Sequence, residues 1–437
     1  MRPRILLVNP PIYDFSAYDF WLKPLGLLGV AGPLSPHADV TLFDYLDRLH
    51  PAAATVKPSA DRWGRGHFLS QKMPRPPQFA HIPRIWRRFG LPRPMFEDFL
   101  RANPPFDVAL IQTVMTYWYP GVAEVIEDLR RRNPNTQIVL GGFYAQACPE
   151  HAGSLGADLV VSAPDPAPLY DTLRIYPDQT VYHPPLWSAY DRLETAAMKL
   201  TVGCPLKCTY CWAGQHGPPF VARPLEHCIA DLDLLLARGV RDIAFYDDAL
   251  LCRPDEVFVP FLRHVIDSGL RVNFHTPNAL HARYITPEIA GLMVAAGFKT
   301  FYIGFESTSE DFHKKTGAKV VSRQLESAVR SLLDAGAHRR GITAYLILGH
   351  PRSDLDQLVE SMHYVNKLGI CIALSDFSPI PGTPDGEACR RWVDLDEPLN
   401  HNKTAFPTAF LGFERSNQIK DLGRQLNRSV KTASDPG

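Results

Sequence analysis

Cys204, Cys208 and Cys211 fall within eight residues in a C-x3-C-x2-C spacing. Three thiolates this close on one loop can converge on one metal centre. A structural zinc site normally takes four protein ligands, whereas three thiolates can hold a [4Fe-4S] cluster and leave one iron open to a further ligand. No C-x2-C or H-x3-H pair follows in the chain to complete a zinc tetrad. Three readings stand: the cluster, a zinc set finished by a distant residue, and coincidence. The other five cysteines, at 148, 228, 252, 371 and 389, form no second cluster motif, so one cluster is expected.

Such a loop needs a rigid frame, and the pattern of apolar runs supplies two. Branched apolar stretches at 4–9, 40–44, 107–113, 137–142 and 157–162, with a helical segment at 121–132, describe a parallel α/β sheet over residues 1–190. A second series, at 198–203, 241–248, 271–276, 299–307, 341–349 and 370–377, alternates with helical stretches at 226–238, 255–268, 286–296, 322–336 and 354–368. Six strand-and-crossover units predict a partial (β/α)6 barrel over 191–387. Residues 388–437 read as a helical cap with a basic tail and disordered final residues. The cysteines follow the first barrel strand directly.

Here the chain resembles the radical S-adenosylmethionine (SAM) superfamily. The resemblance rests on the triad with Tyr210 inside it and on polar residues at the ends of the later strands. It implies that the open iron binds the amino and carboxylate groups of SAM, whose reductive cleavage gives a 5′-deoxyadenosyl radical. The family's SAM contacts would fall on Tyr210, on Asp247 and Asp248 after the second strand, on Asn278 in HTPNAL after the third, and on Glu306 in IGFES after the fourth. For either aspartate, an N-cap of the next helix is the alternative. Gly349 lies in the fifth-strand segment ILGHP, which departs from the family's G-x-P-G-E form, and SPIPGTP (378–384) resembles the sixth-strand loop.

The first 190 residues resemble the Rossmann-like (flavodoxin-like) cobalamin-binding domain of one branch of that superfamily. LLVNPP, KPLGLLGVAG, SAPDPAPL, TVMTYWYPG and LGGFYAQACPEHA carry the likeness. Cobalamin-binding positions implied by it are Pro10, Thr113, Met115, Thr116, Gly141, Gly142 and Tyr144, at the carboxyl ends of the strands. The D-x-H-x-x-G motif that supplies a lower cobalt ligand in other cobalamin enzymes is absent from residues 1–195. The near miss Asp311-Phe-His313-Lys-Lys-Thr316 sits on an expected helix in the barrel half. Tyr117-Trp118-Tyr119 either lines the cobalamin face or packs in the core, and His151 reads as a turn or helix-surface residue.

Residues 51–104 form an inserted basic and aromatic segment with Arg62, Arg65, Arg84, Arg87 and Arg88, suited to packing over the cobalamin tail or shaping a substrate mouth. The same composition occurs at single-stranded nucleic-acid sites. With 46 basic and 46 acidic residues in 437, however, the chain has no excess positive charge, and nucleic acid is not the expected partner. No apolar run approaches the ~18 residues of a spanning helix. Without an export signal, the expected compartment is the cytoplasm.

The expected activity is that of a cobalamin-dependent radical SAM enzyme, most naturally a methyltransferase acting on an unactivated carbon of a small-molecule substrate. The expected electron donor is a flavodoxin or ferredoxin. The alternatives are a radical SAM oxidoreductase or rearrangement enzyme that binds cobalamin without transferring methyl, and a non-catalytic cobalamin- or cluster-binding protein.

Overall fold

The computed structural model describes residues 2–53, 60–317 and 320–432. Its chain forms two compact units, Met1–Glu194 with Asp396–Asn402, and Thr195–Leu395 with Lys403–Gly437.

In the first unit, the strand Arg4–Asn9 buries Ile5, Leu6, Leu7 and Val8 completely. A strand apolar on both faces belongs in the middle of a parallel sheet. It lies there, between Asp39–Asp44 and Val108–Thr113, with Gln137–Gly142 and Leu159–Val161 continuing outward. All four pairings are parallel. In chain order the strands run 2-1-3-4-5, the flavodoxin-like arrangement, which places a ligand crevice at their carboxyl ends.

Residues 51–104 are more integrated than a simple insertion. Ser70–Lys72 and Arg87–Phe89 form a three-stranded antiparallel sheet with Ile12–Asp14, and Arg93–Ala102 is a helix. Residues 54–59 lie outside the described residues. Several arginines of this segment tie the fold together. Arg88 forks onto Glu124 of the helix Tyr119–Arg132 through Nη2 at 2.6 Å and Nε at 2.9 Å, and both side chains are buried. Arg65 pairs with Asp61 and lies over Phe20 and Trp21, and Arg62 lies over Trp63.

The second unit holds six parallel strands, Thr195–Met198, Asp242–Phe245, Asn273–His281, Phe298–Glu306, Ile342–Leu348 and Cys371–Asp376, each paired with the next in the chain. Helices Leu225–Ala237, Phe258–Asp267, Pro287–Ala295, Ser322–Asp334 and Leu355–Lys367 make the crossovers. The first and last strands are edges of one sheet, so the barrel is partial.

Three boundaries differ from the sequence reading, each for a visible reason. The first strand ends at Met198, because the backbone N–H groups of Leu200 and Thr201 turn onto Asp247. Thr201–Val202 then pairs with Val221–Ala222 in a separate antiparallel ladder. The third strand continues to His281, with a register shift between Thr276 and Leu280, where Pro277 has no N–H to give the ladder. The stretch from 388 onward is divided, with Asp396–Asn402 in the first unit and the remainder in the second.

In the second unit the helix Phe413–Thr432 covers the last strand's open edge. Its Asn427 accepts from Ile372 N and donates to Ile372 O, each at 2.8 Å, and Lys420 reaches Asp376 at 2.6 Å. A side-chain amide thereby stands in for a missing neighbouring strand. Residues 424–431, read in the sequence as a basic tail, lie within this helix, and the final residues 433–437, expected to be disordered, lie outside the described residues.

Glu124→Ala leaves the Arg88 guanidinium buried without its carboxylate. We expect a loss of about 3–5 kcal/mol, seen as a lower urea midpoint, whereas an apolar double replacement (Arg88→Met with Glu124→Leu) recovers most of it.

Candidate active site

The cysteine loop is carried by the ladder just described and closed by the short helix Trp212–His216. Gly203 opens it with φ +75°, and a Cβ there would lie 2.2 Å from Pro218 O. Only glycine fits. Lys207 Nζ donates to Gly214 O at 2.7 Å, Gln215 Nε2 to Cys208 O at 3.0 Å, and Cys211 N to Cys208 O at 3.1 Å. Cys208 is buried, while Cys204 and Cys211 are partly exposed.

Burial pushes the Cys204 thiol up to about 11, with the Leu206 N–H opposing the rise and Cys211, Cys208 and Asp248 adding to it. A thiol raised by its surroundings in this way needs a nearby cation to ionise and act as a ligand. Among the described residues, no three His, Cys, Asp or Glu side chains are arranged to hold a single metal ion. A cluster does not require that arrangement, since each cysteine binds its own iron.

The other barrel positions singled out in the sequence gather at the same strand ends. Tyr210 is partly buried beside Glu306. Burial first, then the Glu306 charge and the Cys208 and Cys211 thiols, hold its hydroxyl well above the usual range. Glu306 ends the fourth strand with φ +69°, in the left-handed region that a non-glycine residue rarely adopts. Asp247 is buried. Its Oδ1 accepts from Leu200 N (2.8 Å), Thr201 N (2.6 Å) and Thr201 Oγ1 (2.7 Å), whereas Oδ2 is buried with no hydrogen-bond partner. Burial pushes this carboxyl up to about 6, against the hydrogen bonds of Thr201 and Leu200 and the charge of Lys199.

Asp248 is one-third exposed, with Lys199 Nζ at 3.8 Å. Neither aspartate caps the next helix, which begins only at Phe258 after Val257. Asn278 lies within the extended third strand and donates to Tyr246 O (3.1 Å) and Asp247 O (3.2 Å). Gly349 has φ +82°, and a Cβ there would lie 2.8 Å from Pro407 Cβ, so close packing already demands glycine. Asp248 acts on Cys204, and the adjoining Asp247 carries an orphaned carboxylate oxygen, a pair that fits a cluster whose open iron holds an amine-bearing ligand.

At the strand ends of the first unit, most polar atoms are already engaged. Thr113 Oγ1 donates to Gly141 O (3.0 Å) and accepts from Ala145 N (3.1 Å), Thr116 Oγ1 meets His401 Nδ1 (2.9 Å), and Tyr144 OH meets His151 Nδ1 (2.5 Å). Pro10 is buried. Gly142 has φ +110° over Thr113 O. Met115 is exposed, and a Cβ on Gly141 would meet nothing nearer than 4.0 Å. These two positions leave room for a ligand at the backbone. The aromatic trio is tied down: Tyr117 is buried, Trp118 Nε1 donates to Asp14 at 3.0 Å, and Tyr119 OH donates to Glu397 at 3.2 Å. His151 is partly buried, and burial lowers its pKa against the opposing charge of Glu397. His313 is buried on the helix Glu310–Thr316 with Nε2 on Ser307 O at 2.6 Å.

Thr209, His350, Arg352 and Asp385 were not singled out in the sequence, yet they join the cysteine loop to the fifth- and sixth-strand loops. The only local signal was the histidine in ILGHP, because its partner Asp385 lies 35 residues away.

The family described as the Radical SAM superfamily matches residues 198–365. Among curated proteins, the chain is 24% identical over 290 residues to the threonylcarbamoyladenosine tRNA methylthiotransferase MtaB of Thermotoga maritima, covering 60% of this chain and 64% of that protein. It is 24% identical over 379 residues to the tRNA-2-methylthio-N(6)-dimethylallyladenosine synthase of Mannheimia succiniciproducens, covering 71% and 74%. The chain thus spans just under two thirds of the first of these relatives. Among solved structures, it is similar in fold to the radical SAM methyltransferase TsrM of Kitasatospora setae with cobalamin and a [4Fe-4S] cluster bound, with a TM-score of 0.64, 14% identity, and coverage of 99% of this chain and 100% of that one. It is also similar in fold to the cobalamin-dependent SAM radical enzyme OxsB with aqua-cobalamin and SAM bound, with a TM-score of 0.57, 14% identity, and coverage of 97% and 61%.

Because burial raises Asp247 in the fold, the folded chain holds this proton more tightly than the unfolded chain. The resulting stability is present below the unfolded value near 4 and is lost as pH rises through about 6. The unfolding free energy of the wild type minus that of Asp247→Asn should therefore fall between pH 4 and 7, by an amount on the order of 3 kcal/mol, measured by urea unfolding across that range.

Proposed function

We propose that this chain, which carries a radical SAM domain over residues 198–365, is a cobalamin-dependent radical SAM enzyme that methylates an unactivated carbon of a small molecule. The observation that carries this reading is the pairing of a flavodoxin-order sheet with a cysteine-loop partial barrel, in a chain whose fold follows TsrM along its whole length. An ordinary methyl transfer needs a nucleophile, whereas abstraction of hydrogen by a radical does not. When bound, the cluster with SAM supplies hydrogen abstraction, and cobalamin supplies a methyl group.

In this reading Cys204, Cys208 and Cys211 hold the cluster. The free Oδ2 of Asp247 accepts from the SAM amine, with Asp248 beside it, and Asn278 fixes the turn that presents both. Glu306 receives the ribose, Tyr210 closes the cluster side, and the Gly349 turn borders the adenine. In the first unit, Met115 and the open backbone at Gly141 offer the cobalamin contacts. Pro10, Thr113, Thr116, Gly142 and Tyr144 shape the crevice through the bonds and packing already described. A flavodoxin or ferredoxin delivers the electron. Among the described residues, no helix is long and apolar enough to cross a membrane.

The names of the curated relatives favour a second reading, transfer of a methylthio group. Product mass separates the two, since that group adds sulfur with the carbon. Oxidation or rearrangement adds neither.

Anaerobic reconstitution with hydroxocobalamin should give about four iron and one cobalt per chain, and Cys208→Ala should lose most of the iron. Turnover should yield 5′-deoxyadenosine and a product one methylene heavier. Four iron without cobalt would set aside the methyl-transfer reading in favour of oxidation or rearrangement. Full iron in Cys208→Ala would overturn the cluster assignment.

A further inference from the structure

The geometry points to Asp385 as a positioning residue of the cysteine loop, one whose fixed negative charge makes the cluster harder to reduce. This rests on the cluster reading above. Thr209 sits between Cys208 and Tyr210, and its hydroxyl donates to Asp385 Oδ2, while Asp385 N donates back to Thr209 O at 3.1 Å. The residue next to a cluster ligand is thus gripped at two points by the loop after the sixth strand.

Asp385 is itself held from the fifth-strand turn. His350 Nε2 lies 3.1 Å from Asp385 Oδ2, and Arg352 Nε lies 2.8 Å from Oδ1. Arg352 N donates to His350 Nδ1 at 3.1 Å. Nδ1 therefore faces a backbone N–H, and Nε2 is the ring nitrogen turned to the carboxylate. The rings of Tyr210, Phe312 and Phe377 stand edge-on to His350 at 5.8, 5.0 and 4.7 Å. His350 and Asp385 are both fully or almost fully buried. Burial works against ionisation of Asp385, but the hydrogen bonds from His350 and Thr209 and the charges of His350 and Arg352 outweigh it, and the carboxyl lies below its usual range.

A fold that needed only packing here would be served as well by apolar side chains. What an ionised carboxylate adds is charge; Arg352 offsets part of it from a more exposed position, and removing the carboxylate would leave that cation uncompensated near the loop. Reducing the cluster adds one electron from an external donor and breaks no bond. A neighbouring negative charge opposes that addition, and charge and hydrogen bonding near the sulfurs set cluster potentials.

The test is an EPR-monitored reductive titration of the reconstituted full chain with titanium(III) citrate, comparing wild type, Asp385→Asn, Thr209→Val and Thr209→Ser. Asp385→Asn keeps an acceptor for Thr209 but no charge. At the wild-type midpoint, its ratio of reduced to oxidised cluster should rise about tenfold, equivalent to ~59 mV for a one-electron couple. Thr209→Val should change the EPR line shape and release iron faster to a chelator, and Thr209→Ser should restore both. A wild-type midpoint in Asp385→Asn overturns the charge effect. If Asp385→Asn does not fold, the threonine pair decides, and a Thr209→Val cluster identical to wild type overturns the inference. A wild-type chain that takes up no iron removes the cluster reading itself, and this inference with it.

Discussion

The candidate site depends on how the chain leaves the first barrel strand. A parallel strand that ends at Met198 must hand its next backbone N–H groups to some acceptor, because buried donors cannot go unpaired. Asp247, at the end of the neighbouring strand, takes those of Leu200 and Thr201 together with the Thr201 hydroxyl on a single oxygen. This bends the chain out of the sheet and into the ladder that carries the cysteines. The same carboxylate keeps its second oxygen unspent and buried. One side chain therefore sets where the loop begins and leaves an acceptor beside it.

Around that point each strand end contributes a different restraint. Asn278 donates to the successive carbonyls of Tyr246 and Asp247, Glu306 holds a left-handed backbone beside Tyr210, and the His350–Asp385–Thr209 chain grips the loop. The restraints come from five strands because parallel topology brings all their carboxyl ends to one side. A loop held by so many elements is pre-organised for ligation.

The first unit follows the same logic with a different outcome. Its sheet places Thr113, Thr116 and Tyr144 at strand ends, yet their hydroxyls bond to neighbouring protein groups, including His401 from a segment far along the chain. With those hydroxyls engaged, the open positions at these strand ends are the backbone at Gly141 and the exposed Met115. The arginines of 51–104 show a related contrast. Arg88 is internal to the fold, and in a buried fork a guanidinium acts as a structural tie.

The cysteine spacing, the alternation of strands and helices, and the strand-end positions of Asp247, Glu306 and Gly349 were legible from residue order, because each is a local pattern of side-chain type and period. The parallel sheet of the first unit and the partial barrel followed from that alternation, while the sheet's flavodoxin-like character was implied by the family resemblance. What residue order could not specify is which polar atoms remain free. Asp247 and Asp248 are neighbours in sequence, but one is buried with an orphaned oxygen and the other is partly exposed beside Lys199. Thr209 and Asp385 meet across 176 residues, and Thr116 and His401 across 285. Such pairings depend on how strands stack and loops return, and only the folded chain brings those partners together.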